Sequence, residues 1–412
     1  MTIINVREAE TRSHMPVGPA AAGFADAKAD LVRRTAEVAA IAAAHADAVD
    51  REASYPAAAM AAAREQRLLG VLVPRELGGE GASIHDVMEM CYTLGRACSS
   101  TAMIVAMHHV KVACIVRHGR GHAWMEGMMR RIARDQMLMG SSTTEGNNGG
   151  NVRSSAAPAE VADGRFHLVR DASVISYGAE CDGIVTTARR AADAAGSDQV
   201  LVVIAKEDYA LTPTQGWDVM GMRGTRSIGF KLEASGSAEQ IVAEPYDRVH
   251  TQTMVPFAHL TWGSAWTGVA AAAVERTQKF LRKVARSNGG QMPPGARHFG
   301  LARASLARAR ALLAANADRY AGIYEDERAL GSLEFQSAIA GLKVDVSDLA
   351  VETVMASLRA NGLSGYRNDG EFSVSRHLRD VLSAPIMIHN DRVAANMATA
   401  NLMAEVAPSL RA

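Results

Sequence analysis

Residues 166–189 read FHLVRDASVISYGAECDGIVTTAR, and their texture differs from the sequence on either side. Short runs rich in β-branched residues, separated by Gly, Asp and Ser, have the pattern of strands in a small sheet. The same texture continues outward through QVLVVIAK (199–206) and SIGFKLE (227–233), so residues 137–249 read as a compact antiparallel β domain. Upstream, ADLVRRTAEVAAIAAAHADAVDRE (29–52) and SIHDVMEMCYTLGRAC (83–98) carry apolar residues at helical spacing, and residues 24–136 read as an all-helical domain behind an N-terminal extension, 1–23. The glycine-rich loop PRELGGEGAS (74–83) interrupts it, and Ser83 is placed to cap the next helix. Downstream, helical periodicity returns in four blocks, His259–Arg286, Arg297–Tyr324, Phe335–Ala360 and Asn390–Val406. With RSNGGQMPPGARH (286–298) as a linker, residues 250–412 read as a helical bundle. The fold class expected is mainly α with a central β domain.

Composition narrows the function. The 412 residues are 48% hydrophobic and 21% charged with zero formal net charge, which lacks the basic excess of a nucleic-acid binder. No run approaches the roughly 20 apolar residues of a membrane span, and MTIINVREAETRSHM does not resemble a signal peptide, so a cytoplasmic enzyme is expected. The four cysteines, Cys91, Cys98, Cys114 and Cys181, lack paired spacing and read as buried thiols. No G-x-x-x-x-G-K-S/T loop and no G-x-G-x-x-G turn between strand and helix is present, which removes two common nucleotide cradles. His118 and His122 stand four apart, but the glycines of HGRGH end the helix between them; exposed histidines and no metal site are expected. Five methionines within 125–139 read as core filling.

Near the C-terminus, RHLRDVLSAPIMIHNDRV (376–393) changes character halfway. Arg376 to Leu382 is helical, Pro385 breaks the helix, and Asn390 can cap a new one. The break leaves Ile388 and His389 in the gap.

The order of helices, β domain and bundle, together with motifs at the joints, resembles the acyl-CoA dehydrogenase superfamily of flavoproteins. LLGVLVPRELGGEGAS (68–83) resembles its N-terminal glycine loop, and TLGRACSSTAMIVAMHH (93–109) the helix pair that follows. SSTTEG (141–146) is similar to its Thr-Glu-Pro turn, VISYGAECDGIVTTAR (174–189) to its Trp-Ile-Ser/Thr strand, and WDVMGMRGTRS (217–227) to its Gly-x-Arg-x-Ser/Thr turn. NGLSGYRNDGEFSVSRHLRD (361–380) resembles its glycine loop and Arg-Asp helix. The resemblance implies a helical N-terminal domain, a middle β-barrel and a C-terminal four-helix bundle. It further implies a bound flavin, FAD or FMN, with Ser142, Thr143 and Thr144 along one edge of its slot and Ile175 and Ser176 along another. Gly362 and Gly365 would hold the cofactor's outer part across a subunit interface, in a homodimer or homotetramer, with Asn390 and Arg392 near its far half.

The chain also departs from that pattern. Aligning Arg379-Asp380 puts Ile388 where most members carry a catalytic glutamate, and the alternative position on the first bundle helix is Ala258, next to His259. An isoleucine cannot take the α-proton that desaturating an acyl-CoA requires. The Thr-Glu-Pro-x-x-Gly-Ser-Asp turn reads TEGNNGGN, the tryptophan that lies against the flavin is Val174, and the diphosphate-gripping Arg-x-x-Phe-Gly has no copy beyond RHFG (297–300). These departures resemble the family's two-component monooxygenases, which receive reduced flavin from a separate flavin reductase and need a dry pocket rather than a base. On that reading His389 and His109 are the candidate acid–base or hydrogen-bonding groups, and His108, Ile388 and Val174 line the pocket of a small apolar or aromatic substrate. The alternative is an FAD-dependent acyl-CoA dehydrogenase using a non-standard base.

Overall fold

A computed structural model describes residues 19–145 and 152–403, with the side chains of residues 19–27, 399 and 400 left aside. Five helices open the chain: α1 (Pro19–Glu52), α2 (Ala57–Glu65), α3 (Ile84–Ala97), α4 (Ser99–His118) and α5 (Ala123–Asp135). Ser83 caps α3 through a reciprocal box: its Oγ accepts from the Asp86 N–H while the Asp86 carboxylate accepts from the Ser83 N–H at 2.9 Å. Helix α4 is apolar all round and buries seventeen of its twenty residues, as a helix at the centre of a core does. It corrects the expectation that no run is long and apolar enough to cross a membrane, and its burial among neighbouring elements accounts for that composition.

The β domain comprises β1 (Met139–Ser142), β2 (Glu160–Ala162), β3 (Arg165–Ile175), β4 (Gly183–Arg189), β5 (Gln199–Ala205), β6 (Tyr209–Gln215) and β7 (Ile228–Ser237). They lie in two sheets, ordered β1-β4-β5 and β2-β3-β7-β6. Strand β5 is buried throughout, whereas β3 alternates buried and exposed residues, the mark of a sheet with one wet face. The expectation of a purely antiparallel domain is corrected at one pair: β1 runs parallel to β4, Met139 opposite Gly183. Parallel strands need a long crossover, and forty residues separate these two, which no local pattern announces.

The chain then re-enters helix through α6 (Tyr246–Val249), a π-helical turn at His250–Met254 and α7 (Val255–Ser287). The remaining helices are α8 (Arg297–Gly322), α9 (Glu327–Leu330), α10 (Leu333–Asn361), α11 (Leu363–Tyr366), α12 (Ser375–Val381), α13 (Ser383–Ile386) and α14 (Asn390–Asn401). Helices α3 and α7 cross at Gly95 and Gly268. A Cβ on Gly95 would lie 2.3 Å from the Ala265 carbonyl oxygen, and one on Gly268 2.3 Å from that of Tyr92. One hydrophobic cluster runs from α1 through the β domain into α10 and α12, so bundle and sheets share a core. The four cysteines are buried and unbridged, and Met125, Met128 and Met129 are buried on α5.

Candidate active site between the β domain and the bundle

The β side of the site is built by three segments. Glu145 bridges Ala172 in antiparallel fashion, which runs Thr143 and Thr144 beside the end of β3. There β3 is bulged: its register against β7 shifts between Ala172 and Ile175, so Ser173 and Val174 leave the ladder and Val174 is half-buried. A bulge redirects side chains locally and is frequent beside active sites. The hydroxyl of Ser142 is buried without a hydrogen-bond partner among the described residues. Ile175 is fully buried, and Thr143 and Thr144 are half-buried.

Ser176 sits at the head of a hydroxyl relay. Thr225 Oγ1 donates to the Met222 carbonyl at 2.9 Å, so its single proton is spent. Ser227 therefore donates to Thr225 at 2.8 Å, and Ser176 donates to Ser227 at 2.7 Å. The proton order follows from the one carbonyl, which can only accept. Ser176 Oγ is left as an acceptor.

Glu145, in the Thr-Glu turn, is committed to structure. Its carboxylate accepts from the Ala156 N–H at 2.6 Å and the Ala157 N–H at 3.2 Å, and pairs with the buried Arg170 at 3.2 Å. Burial pushes the Arg170 guanidinium down to about 10. The expected glycine-rich continuation, residues 146–151, lies outside the described residues.

On the bundle side, α12 is locked down by ion pairs. Arg376 Nε meets Asp47 at 3.0 Å, and Arg379 Nη1 meets Asp50 at 2.8 Å. Asp380 accepts from the Met222 N–H at 2.7 Å and from the Ser99 hydroxyl. Helix α13 holds Pro385 in a single turn, and the chain then passes through Ile388 and His389, both at φ +55°. A left-handed conformation is a steric outlier for a β-branched residue. Of the nine non-glycine residues with positive φ among those described, Tyr177 follows Ser176, Met222 and Arg226 flank Thr225, and Ile388 and His389 form this break. Ile388 is half-buried and His389 exposed.

Asn390 does not face outward. Its Oδ1 accepts from Lys343 Nζ at 2.6 Å, and its Nδ2 donates to Ser347 Oγ and Asp348 Oδ1, each at 3.0 Å. Arg392 is half-buried two residues further along α14. Gly362 ends α10 at φ +56° with open space where a Cβ would be, and Gly365 is buried against Asn361. Arg297 and Gly300 of the RHFG segment are exposed at the start of α8.

The two adjacent histidines of α4 behave oppositely. His108 is fully engaged: Nε2 donates to the Leu69 carbonyl at 2.8 Å and Nδ1 accepts from the Met139 N–H at 3.0 Å. That ties α4 to β1, so the ring is a core strut rather than pocket lining, and burial holds it down to about 4. His109 is as deeply buried, but neither ring nitrogen has a hydrogen-bond partner among the described residues. The Leu68 carbonyl lies near it without proper hydrogen-bond geometry, and desolvation keeps the ring well below its ordinary value, hence neutral. His118 corrects another expectation. It is buried, with Nδ1 at 2.9 Å from Glu244 and Nε2 at 2.8 Å from Thr253, while His122 is exposed. No group of metal-ligating side chains occurs among the described residues.

Sequence reasoning did not single out Ser227, Lys343, Lys111 or His250. Lys111 alone carried a signal, as the one cation inside the apolar run of α4.

The two residues that the family resemblance aligns with a catalytic base are apolar: Ile388, half-buried, and Ala258, buried on α7. Among the described residues the buried carboxylates are Glu145 and Asp380, both committed as above. The β side fits the ring of a flavin, since the orphaned Ser142 hydroxyl, the half-buried Thr143 and Thr144, and the acceptor Ser176 offer hydrogen bonds beside apolar Val174 and Ile175.

Comparison with known proteins agrees with this architecture. Residues 26–123 match the acyl-CoA dehydrogenase N-terminal domain. The amino sugar nitrososynthase RubN8 of Streptomyces rubradiris is 28% identical over 201 residues, which span 44% of each chain, less than half the length of that relative. The protein named probable FMNH2-dependent monooxygenase SfnC, from Pseudomonas putida, is 23% identical over 301 residues, 69% of this chain and 72% of that one. Among solved structures, FMN-bound TdsC from Paenibacillus sp. A11-2 superposes with a TM-score of 0.80 at 18% identity, covering 93% of this chain and 100% of that chain. Butyryl-CoA dehydrogenase from Megasphaera elsdenii gives 0.76 at 15% identity, covering 92% and 98%. Residues 26–123 thus form an acyl-CoA dehydrogenase N-terminal domain, and the chain as a whole, helical, β and bundle layers together, has the fold of those solved structures.

Proposed function

We propose that the protein is a flavin-dependent monooxygenase that uses reduced FMN or FAD delivered by a separate flavin reductase and oxygenates a small, apolar-bodied molecule. The observation that carries this reading is the pair of apolar residues, Ile388 and Ala258, at the positions where a desaturase needs a carboxylate. When bound, reduced flavin supplies two electrons to dioxygen. The residues of this chain do the rest. Ser142, Thr143 and Thr144 hydrogen-bond one edge of the ring, and Ser176 accepts from an N–H of the kind that the reduced ring carries and the oxidised ring lacks. Val174, Ile175 and Ile388 keep water from the reacting face. His109, neutral and without a hydrogen-bond partner among the described residues, is available to donate at one nitrogen and accept at the other, and His389, exposed beside Ile388, would act as a proton carrier. Gly362 and Gly365 belong to a contact with a second copy of the chain, in a homodimer or homotetramer, with Arg392 toward the cofactor's far half.

The names SfnC and FMN-bound TdsC support the choice of reduced FMN as first cofactor to test. The experiment supplies FMNH2 from a reductase and uses indole, the ligand in a solved TdsC complex, as probe. Oxygenated indole is expected, with no bleaching of the oxidised flavin when a panel of acyl-CoA thioesters is added anaerobically. Anaerobic bleaching by a thioester would replace this reading with the acyl-CoA dehydrogenase one, which the matched N-terminal domain supports.

A further inference from the structure

Lys111 projects from the middle of α4 and is 3% exposed. Its Nζ has one partner among the described residues, the sulfur of Met254 at 3.5 Å. A thioether is a weak acceptor and no carboxylate acts on the ammonium, so burial, opposed only by the neighbouring Cys114 thiol, pulls it down to about 8. The same sulfur receives the hydroxyl of Tyr246 at 3.5 Å, and the Tyr246 ring stands edge-on to His250 at 5.6 Å. His250 makes no side-chain hydrogen bond among the described residues, and it is weighed upon by positive charge from Arg153 and Lys111 and by the His259 ring.

These groups are held rigidly. The π-helical turn that carries His250 and Met254 is braced by Tyr320, whose hydroxyl donates to the Gln252 carbonyl at 3.1 Å. Gln336 braces it further through the Thr251 carbonyl at 3.0 Å, and His118 through Thr253. A π-turn is costly and clusters at functional sites. An ammonium buried beside other bases and a sulfur atom is a standing expense that a protein core sheds readily by substitution to methionine or leucine. Among the described residues no carboxylate acts on Lys111 or His250, and the buried Glu145 is committed to Arg170.

We propose that Lys111, His250 and Tyr246 form a subsite for the acidic group of the substrate, so that the molecule oxygenated is a small organic acid, a carboxylate, sulfinate or sulfonate on an apolar body. This rests on the proposed function for the identity of the reaction. The recognition itself rests on the cluster. His250 and Ala258 are eight residues apart on one helical run, less than about 12 Å along its axis because its π-helical turn rises less per residue than the 1.5 Å of an α-helix. The apolar body of the acid, of one or two rings, would lie along that run.

The test is calorimetric titration of the full-length protein, with and without oxidised FMN, using benzoate against benzyl alcohol and benzenesulfinate against methyl phenyl sulfone. Each acid is expected to bind at least about tenfold more tightly than its neutral counterpart, a ratio worth about 1.4 kcal/mol. Lys111→Met should erase that ratio while leaving FMN affinity and the far-ultraviolet dichroism unchanged, and His250→Gln should reduce it. Equal binding of acid and neutral probes to the wild-type protein overturns the inference whether or not the variants fold, as does a ratio that survives Lys111→Met. An acid preference without any flavin binding would retire the proposed function and leave the subsite standing. FMNH2-dependent oxygenation of indole without acid preference would do the reverse.

Discussion

Lys343 of α10 donates to Asn390 at 2.6 Å and to the Ala384 carbonyl at 3.0 Å, so one ammonium clasps both sides of the break between α13 and α14. Burial brings that ammonium down to about 8, so the clasp holds its charge in neutral solution. Asn390→Ala removes an acceptor from a buried cation and should cost about 1–3 kcal/mol. Urea melts will show this as a lower midpoint, and protease digestion as earlier cleavage after residue 382. An unchanged midpoint would mean that the clasp is ornamental.

Ser142→Ala deletes a buried hydroxyl that has no hydrogen-bond partner among the described residues. Stability should hold or rise slightly, because a desolvated donor disappears, while FMN should bind about tenfold more weakly for the loss of one hydrogen bond. Quenching of FMN fluorescence measures the affinity, and calorimetric melting the stability. A destabilised protein with unaltered FMN binding would place the hydroxyl outside the cofactor slot.

Ser227→Ala cuts the relay and returns to Ser176 a proton free to donate outward. The oxidised ring, which accepts where the reduced ring donates, should then gain on reduced FMN by roughly tenfold in relative affinity. Anaerobic titrations of the two redox forms give the ratio. No change in it would refute the donor order.

Buried neutral histidines fix the direction of pH dependence. His108 and His259 sit at about 4 and His250 at about 3, in each case because desolvation opposes the charged ring. Between the ordinary value of 6.5 and those values, the unfolded chain binds protons that the folded chain refuses. Stability is therefore fully present above pH 6.5 and falls as pH drops toward 4, by about 3 kcal/mol for each of His108 and His259. Denaturant melts from pH 7.5 to 4.5 should show a steadily falling midpoint, and a flat profile would contradict the burial of those rings.

Ile388→Gly relieves a left-handed β-branched residue at the expense of some apolar contact. The two effects, each about 1 kcal/mol, should nearly cancel in stability. Opening the dry wall should at least roughly double the hydrogen peroxide released per reduced FMN consumed. Coupled oxygen and peroxide assays read this directly, and unchanged yield would remove Ile388 from the pocket wall.

The architecture was legible because periodicity is a local property: the change of texture around residues 137 and 250 is visible in any window of a dozen residues. The Ser83 cap was legible for the same reason, its partner Asp86 being three residues away. What escaped were long-range pairings. The parallel joining of β1 to β4 depends on register across forty residues, and the relay from Ser176 to Ser227 spans fifty-one. His118 read as exposed because its partners Glu244 and Thr253 arrive from the far side of the β domain. Asn390 read as a helix cap, but it lies within α14 and its side chain serves instead as a clasp to Lys343, which stands forty-seven residues upstream. His109 and His108 could be separated only by seeing which ring the backbone of Leu69 and Met139 had claimed.

The near contact of Gly95 and Gly268 leaves the crossing of α3 and α7 no freedom to ratchet. Sliding either helix by one residue would drive Leu94 or Thr267 into the opposing backbone, so the bundle cannot breathe by shear at that point. Any opening falls, then, to pieces outside this stationary axle. The twisted segment at Ile388 and His389, latched by Lys343 and by the bonds of Asn390 to Ser347 and Asp348, is such a piece.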